Sequence, residues 1–175
     1  MFDFFMKGVV HPLVTPEHLI VLVALGLLVG QQGWKHARVT LPVFVVMAFV
    51  GVALTLFVIL RMEFYMGLLA IALVVGTLVV LRLDLPLLLL LVLTMVGAVV
   101  VGLDTDVPRI PGLRGMKVHV LLGGAALSSS LVVLISSVIG LSLRNVLEGI
   151  PVRVLGAWIT AGAVLVLALK LTNNF

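Results

Sequence analysis

Apolar residues run in long blocks along this chain, and polar residues are confined to the short gaps between them. The blocks lie at about 16–30, 39–60, 64–81, 86–103, 118–143 and 152–171. A stretch such as LPLLLLLVLTMVGAVVVGL shows no alternation of apolar and polar positions. A transmembrane β-barrel would alternate, because each strand turns one face to lipid and the other to a lumen. Several blocks instead reach the roughly 17 to 25 apolar residues with which an α-helix crosses about 30 Å of hydrocarbon. The pattern predicts an all-α integral membrane protein, a single polytopic domain over residues 1–175 folded as a compact bundle of six transmembrane helices. Six crossings put both termini on one side.

The gaps carry the charge and the helix breakers that set the segment ends. They read GQQGWKHAR after the first block, Arg61 and Glu63 after the second, and Arg82 with Asp84 ahead of Pro86. The longest is LDTDVPRIPGLRGMKVH, and RNVLEGIPVR leads into the last block. With the termini outside, the inner loops hold Lys35, Arg38, Arg82, Arg144 and Arg153. The outer side then holds Lys7, Arg61, Arg109, Arg114, Lys117 and Lys170. The tightest basic cluster lies in the first loop, and the first helices usually dominate orientation, so the expectation is termini outside. The opening MFDFFMKGVV lacks the basic start, apolar middle and small-residue cleavage site of a signal peptide. Either the first segment directs its own insertion or a signal has already been removed.

Composition sharpens the class. The chain is 63% hydrophobic and 10% charged, with a mean hydropathy of +1.40, far from the balance of a soluble domain. Its net charge of +4 is spread over loops, so no nucleic-acid patch is expected. Cysteine is absent, which excludes disulfides, thiolate metal sites and thiol redox chemistry. No GxxxxGK[ST] phosphate loop and no paired nucleophile and base appear, so neither an ATP-driven pump nor an enzyme is expected. Small residues favour close helix packing in lipid. They include Gly26 and Gly30, Ala72 and Gly76, and a run from Gly123 to Gly140 containing five serines at 128–130 and 136–137. The fifth and sixth segments are expected near the bundle centre.

One stretch concentrates candidate ligands. HPLVTPEH places His11, Glu17 and His18 within eight residues. Pro12 and Pro16 argue against a continuous helix through it. Thr15 and Pro16 read as the N-cap and first turn of a helix whose positive end Glu17 complements. The expectation is a broken or re-entrant start to the first helix, with His11 in an irregular segment beside it. Such broken ends are where transporters commonly bind ions. Two imidazoles and a carboxylate suit nickel, cobalt, zinc, copper or iron better than magnesium or calcium. Two readings stand: a metal site, or a helix-start acid with two interfacial hydrogen-bonding histidines. Glu63 is either a solvated end residue paired with Arg61 or a ligand on the pathway, since ionisable groups at membrane depth are costly. Asp104 and Asp106 lie in the longest loop, as solvated acids or as attractors of cations.

These residues resemble the HupE/UreJ family of small bacterial membrane proteins, whose first segment typically reads HPxxGxDH before a helix with a glycine-rich end. Here HPLVTPEH precedes LIVLVALGLLVGQQG. His11, Pro12 and His18 match directly, Glu17 keeps the charge of the aspartate, and Thr15 replaces the glycine. Similar patches follow in order: LPVF with Met47 and Gly51, Glu63, and RVLGAWITAGAVLVL. The family's second motif, HGxxHGxE, is missing; the region reads VVVGLDTDVP, where Asp106 stands nearest the glutamate. The resemblance implies a nickel or cobalt permease of the bacterial inner membrane, its ion held by His11, Glu17 and His18 with Glu63 and Asp106 completing the shell. A second reading, favoured by the missing motif, is a non-transporting membrane subunit of a larger complex. Partners beyond the lipid bilayer and the ion would be further copies or other membrane subunits.

Overall fold

The computed structural model describes residues 1–55, 64–105 and 115–172. These form helices and no strand. In chain order the helices are α1 (Phe2–Val14), α2 (Pro16–Gln32), α3 (Trp34–Leu54), α4 (Tyr65–Leu81), α5 (Leu87–Leu103), α6 (Met116–Leu143) and α7 (Ile150–Thr172). A 3₁₀ turn over Val146–Gly149 precedes α7.

α2 forms the axis of the fold. It is apolar all round, the mark of an interior helix, and Val21, Leu22, Ala24, Leu25 and Leu28 are fully enclosed. Every other helix packs against it. α6 is the second core helix, and at 28 residues it is about 42 Å long, enough to carry α1 on its first half and α2 on its second.

Four helix pairs use the same device, glycine where backbones meet. A Cβ on Gly8 would sit 2.0 Å from the Leu121 carbonyl oxygen, so α1 lies directly on α6. One on Gly30 would sit 2.2 Å from the Ser137 carbonyl oxygen, joining α2 to α6. One on Gly102 would meet the Gly51 backbone at 2.6 Å, joining α5 to α3, and one on Gly76 would meet Thr160 Oγ1 at 2.5 Å, joining α4 to α7. Close backbone approach of this kind supplies the dispersion contacts that hold helices together in lipid. The serines at 128–130 and 136–137 are buried in the α6 interfaces, and Ser130 Oγ donates to the Ala126 carbonyl at 2.7 Å within its own helix.

One expectation is not confirmed and three are corrected. Among the described residues three helical stretches are long and apolar enough to span a membrane: α3, α6, and Val146–Thr172. α1 with α2, bent by 75°, makes a fourth if the pair counts as one span. α4 and α5 have 17 residues each, about 25 Å, so a bundle of six full-length spans is not confirmed. The sixth segment is peripheral rather than central, since only Val152, Gly156 and Ala163 of α7 are buried. The polar WKHAR stretch is not a connector but the first turns of α3, separated from α2 by Gly33 alone, whose φ of 91° suits glycine. Finally, His11 lies in the last turn of a regular helix, α1, instead of an irregular segment.

Candidate functional site

Of the two prolines in HPLVTPEH, only the second breaks the chain. Pro12 is accommodated inside α1, where the seating of Gly8 on the α6 backbone fixes the helix and overrides the local preference. Thr15 precedes Pro16 and takes the extended geometry that proline imposes on its predecessor, with φ −84° and ψ 108°. The chain turns there. Pro16 opens α2 as expected, but the Thr15 hydroxyl does not cap it; it donates back to the His11 carbonyl at 2.9 Å, closing the end of α1. The sharp bend brings the last turn of α1 against the first turn of α2.

The result is an imidazole pair. The His11 and His18 rings meet edge to face, with centroids 5.3 Å apart at an interplanar angle of 83°. His11 is half-buried and lines an open groove of about 560 Å³ with Asp3, Lys7 and Thr15. His18 has 0% exposure. Its Nε2–H donates to Asp104 Oδ2 at 2.9 Å. Asp104 Oδ1 accepts the backbone N–H of Phe64 at 3.1 Å, so one carboxylate ties the end of α5 to the starts of α2 and α4. In the neutral imidazole this leaves a lone pair on His18 Nδ1, a fully buried atom with no hydrogen-bond partner among the described residues.

Glu17 is engaged differently. Its Oε1 pairs with the Lys170 ammonium from the end of α7, which also lies 4.2 Å from the centroid of the Tyr65 ring. Glu17 is 8% exposed. His11 and His18 are thus brought together, while the nearest acid partner of the pair is Asp104. Glu63 and Asp106 lie outside the described residues. Among the described residues no three His, Cys, Asp or Glu side chains are grouped so as to hold a metal ion.

Lys170 was not singled out from the sequence as a site residue, and Asp104 was read only as a loop acid, solvated or attracting cations. Asp104 follows the last apolar residue of α5, so it sits at the helix end rather than in the loop beyond. Lys170 falls inside an apolar block, where a cation needs a partner. Both positions carried that signal.

The opposite end of the bundle is stitched by side chains bonding to carbonyls. Gln31 Nε2 donates to Val79 at 3.1 Å, Gln32 Nε2 to Leu83 at 2.8 Å, and Arg153 Nε to Val80 at 2.9 Å. Arg82, itself left-handed with φ 52°, donates to the carbonyls of Glu148 and Arg144. His11, His18, Glu17 and Asp104 therefore lie at one end, and the carbonyl-bound Arg82 and Arg153 at the other.

Apolar helices folded around a buried helix fit a helical membrane protein. The family model described as HupE / UreJ protein matches residues 2–166, and the chain belongs to that family. Membership is consistent with nickel or cobalt transport in general. No curated protein and no solved structure matches the chain.

Proposed function

We propose that this protein is a permease for a divalent transition-metal ion, nickel or cobalt first, with His11 and His18 as its capture site at the outer mouth. The observation that carries this reading is the buried, unpartnered Nδ1 of His18 on a ring whose other nitrogen is held by Asp104. A metal-binding histidine characteristically donates its second ring N–H to a carboxylate, which fixes the tautomer and makes the free nitrogen more basic. His11 packs edge to face on the His18 ring and itself lines the open groove. An ion from solution would meet His11 first and be passed inward to His18.

Two nitrogens are too few for a stable site. Further oxygen ligands would come from Glu17 once it parts from Lys170, with Glu63 and Asp106 as the remaining candidates. Zinc, copper and iron share the ligand preference. The reading puts the protein in the bacterial inner membrane with its termini and the histidine pair outside. The arginine-rich end carrying Lys35, Arg38, Arg82, Arg144 and Arg153 would then face the cytoplasm, in keeping with positive-inside placement. Uptake of Co²⁺ by cells or proteoliposomes tests the reading. His11→Ala with His18→Ala is expected to abolish it, and unchanged uptake by the double variant would remove the capture site.

A second reading draws on the lack of a grouped three-ligand set among the described residues: a non-transporting subunit that packs against a larger assembly. Extraction in mild detergent separates the two. A stoichiometric companion favours the subunit, whereas a lone protein or homo-oligomer retaining metal favours the permease.

A further inference from the structure

Lys170 is placed where a cation would sit. Its ammonium contacts the carboxylate of Glu17 and lies over the face of Tyr65, an arrangement that attracts cations of any kind. Glu17 belongs to the same helical turn as His18, whose free nitrogen is the centre of the proposed site. The lysine side chain is 36% exposed and the Glu17 side chain only 10%, so the cation, not the carboxylate, has room to leave. The tether is long and flexible, and α7, which carries it, is the least buried of the long apolar helices. Glu17 therefore has a partner it can exchange without exposing an unpaired charge to a low-dielectric surrounding.

We propose that Lys170 is a built-in competitor for the transported ion: its ammonium neutralises Glu17 while the site is empty and is displaced when a divalent cation binds. This rests on the permease reading above and adds what sets the affinity and selectivity of that site. A divalent ion brings twice the charge of the ammonium to Glu17, and Coulomb attraction scales with charge, with the imidazole nitrogens contributing further. A monovalent ion gains no such advantage over the lysine it must displace. On the inward step the same ammonium returns to Glu17 and helps expel the ion, so that capture does not become a trap.

The test is equilibrium binding of Co²⁺ alone to the purified full-length protein in nanodiscs. Lys170→Met is expected to bind about tenfold more tightly than wild type, a modest coupling for a close, partly desolvated charge pair. Lys170→Arg, which keeps the charge, should stay near wild type. In a Glu17→Gln background Lys170→Met should have no further effect, because the competitor's target is gone. Lys170→Gln removes the charge but keeps a hydrogen bond to Glu17, and serves as the same comparison if Lys170→Met does not fold. Unchanged or weaker Co²⁺ binding by the neutral variants, with the wild type still binding, overturns the competitor and leaves the permease reading standing. Equal tightening in the Glu17→Gln background also overturns it, since that would be a general effect of removing a positive charge. A wild type that does not bind Co²⁺ overturns both.

Discussion

His18 is a residue whose surroundings decide its chemistry. Burial alone would make an imidazole inert, but burial with one nitrogen bonded to Asp104 and the other unpartnered leaves a desolvated lone pair, which costs free energy until something coordinates it. His18→Ala is expected to weaken Co²⁺ binding severely or eliminate it. Asp104→Asn, which keeps the shape but loses the charge orienting the ring, should weaken it about 10- to 100-fold, read by the same titration. Equal affinities for Asp104→Asn and wild type would show that the His18–Asp104 pair is a structural link only. The histidines were legible in the sequence because HPLVTPEH collects ligand types in a chain that avoids them. Asp104 was visible only as one of two acids in a loop, since its partner is 86 positions away and sequence spacing carries no information about such a pairing.

At the scale of elements, the site depends on a bend and on glycine contacts. The bend at Thr15 follows from Pro16, so Pro16→Ala should relax the extended geometry, draw His11 away from His18 and lower Co²⁺ affinity several-fold with the protein still folded. Affinity unaltered by Pro16→Ala would mean that α6 alone holds α1 in place. Gly30→Val would drive a side chain into the α6 backbone and is expected to destabilise by about 1–3 kcal/mol or more. Gly67→Ala meets nothing within 4 Å and should be neutral or slightly stabilising, since alanine is the better helix former by about 1 kcal/mol. Thermal melting in detergent compares the two. Much of this level was readable beforehand. Proline before Glu17 marked the start of α2, and small residues marked helix faces suited to close contact, though not which helices meet there. The helical state of residues 2–14 was not readable, because what stabilises it is the distant backbone of Leu121 and Ala125. The central position of α2 was hidden as well: buried and lipid-facing helices are equally apolar, so hydropathy cannot tell an axis from a rim.

For the whole molecule, the difference between the two ends is the feature on which the proposed permease reading relies. His11, His18, Glu17 and Asp104 lie at one end, and arginines bonded to carbonyls close the other. Between them Val21, Leu22, Leu25 and Leu28 of α2 are fully buried, so under the proposed permease reading passage of an ion would require helices to shift. The least buried of the long apolar helices, α7, is the natural one to move, and it carries Lys170. Because the chain has no cysteine, single cysteines report sidedness directly. Lys117→Cys is expected to react with a membrane-impermeant thiol reagent in intact cells, and Lys35→Cys only after the membrane is opened; the reverse pattern would invert the proposed orientation.

The central claim is that the buried nitrogen of His18 binds a metal ion. X-ray absorption at the cobalt edge of the Co²⁺-loaded protein addresses it without relying on transport. Two imidazole nitrogens with oxygen neighbours are predicted for the wild type, falling to one nitrogen or to loss of the metal in His18→Ala. A cobalt environment of oxygen alone, or one identical in the two proteins, would contradict the account.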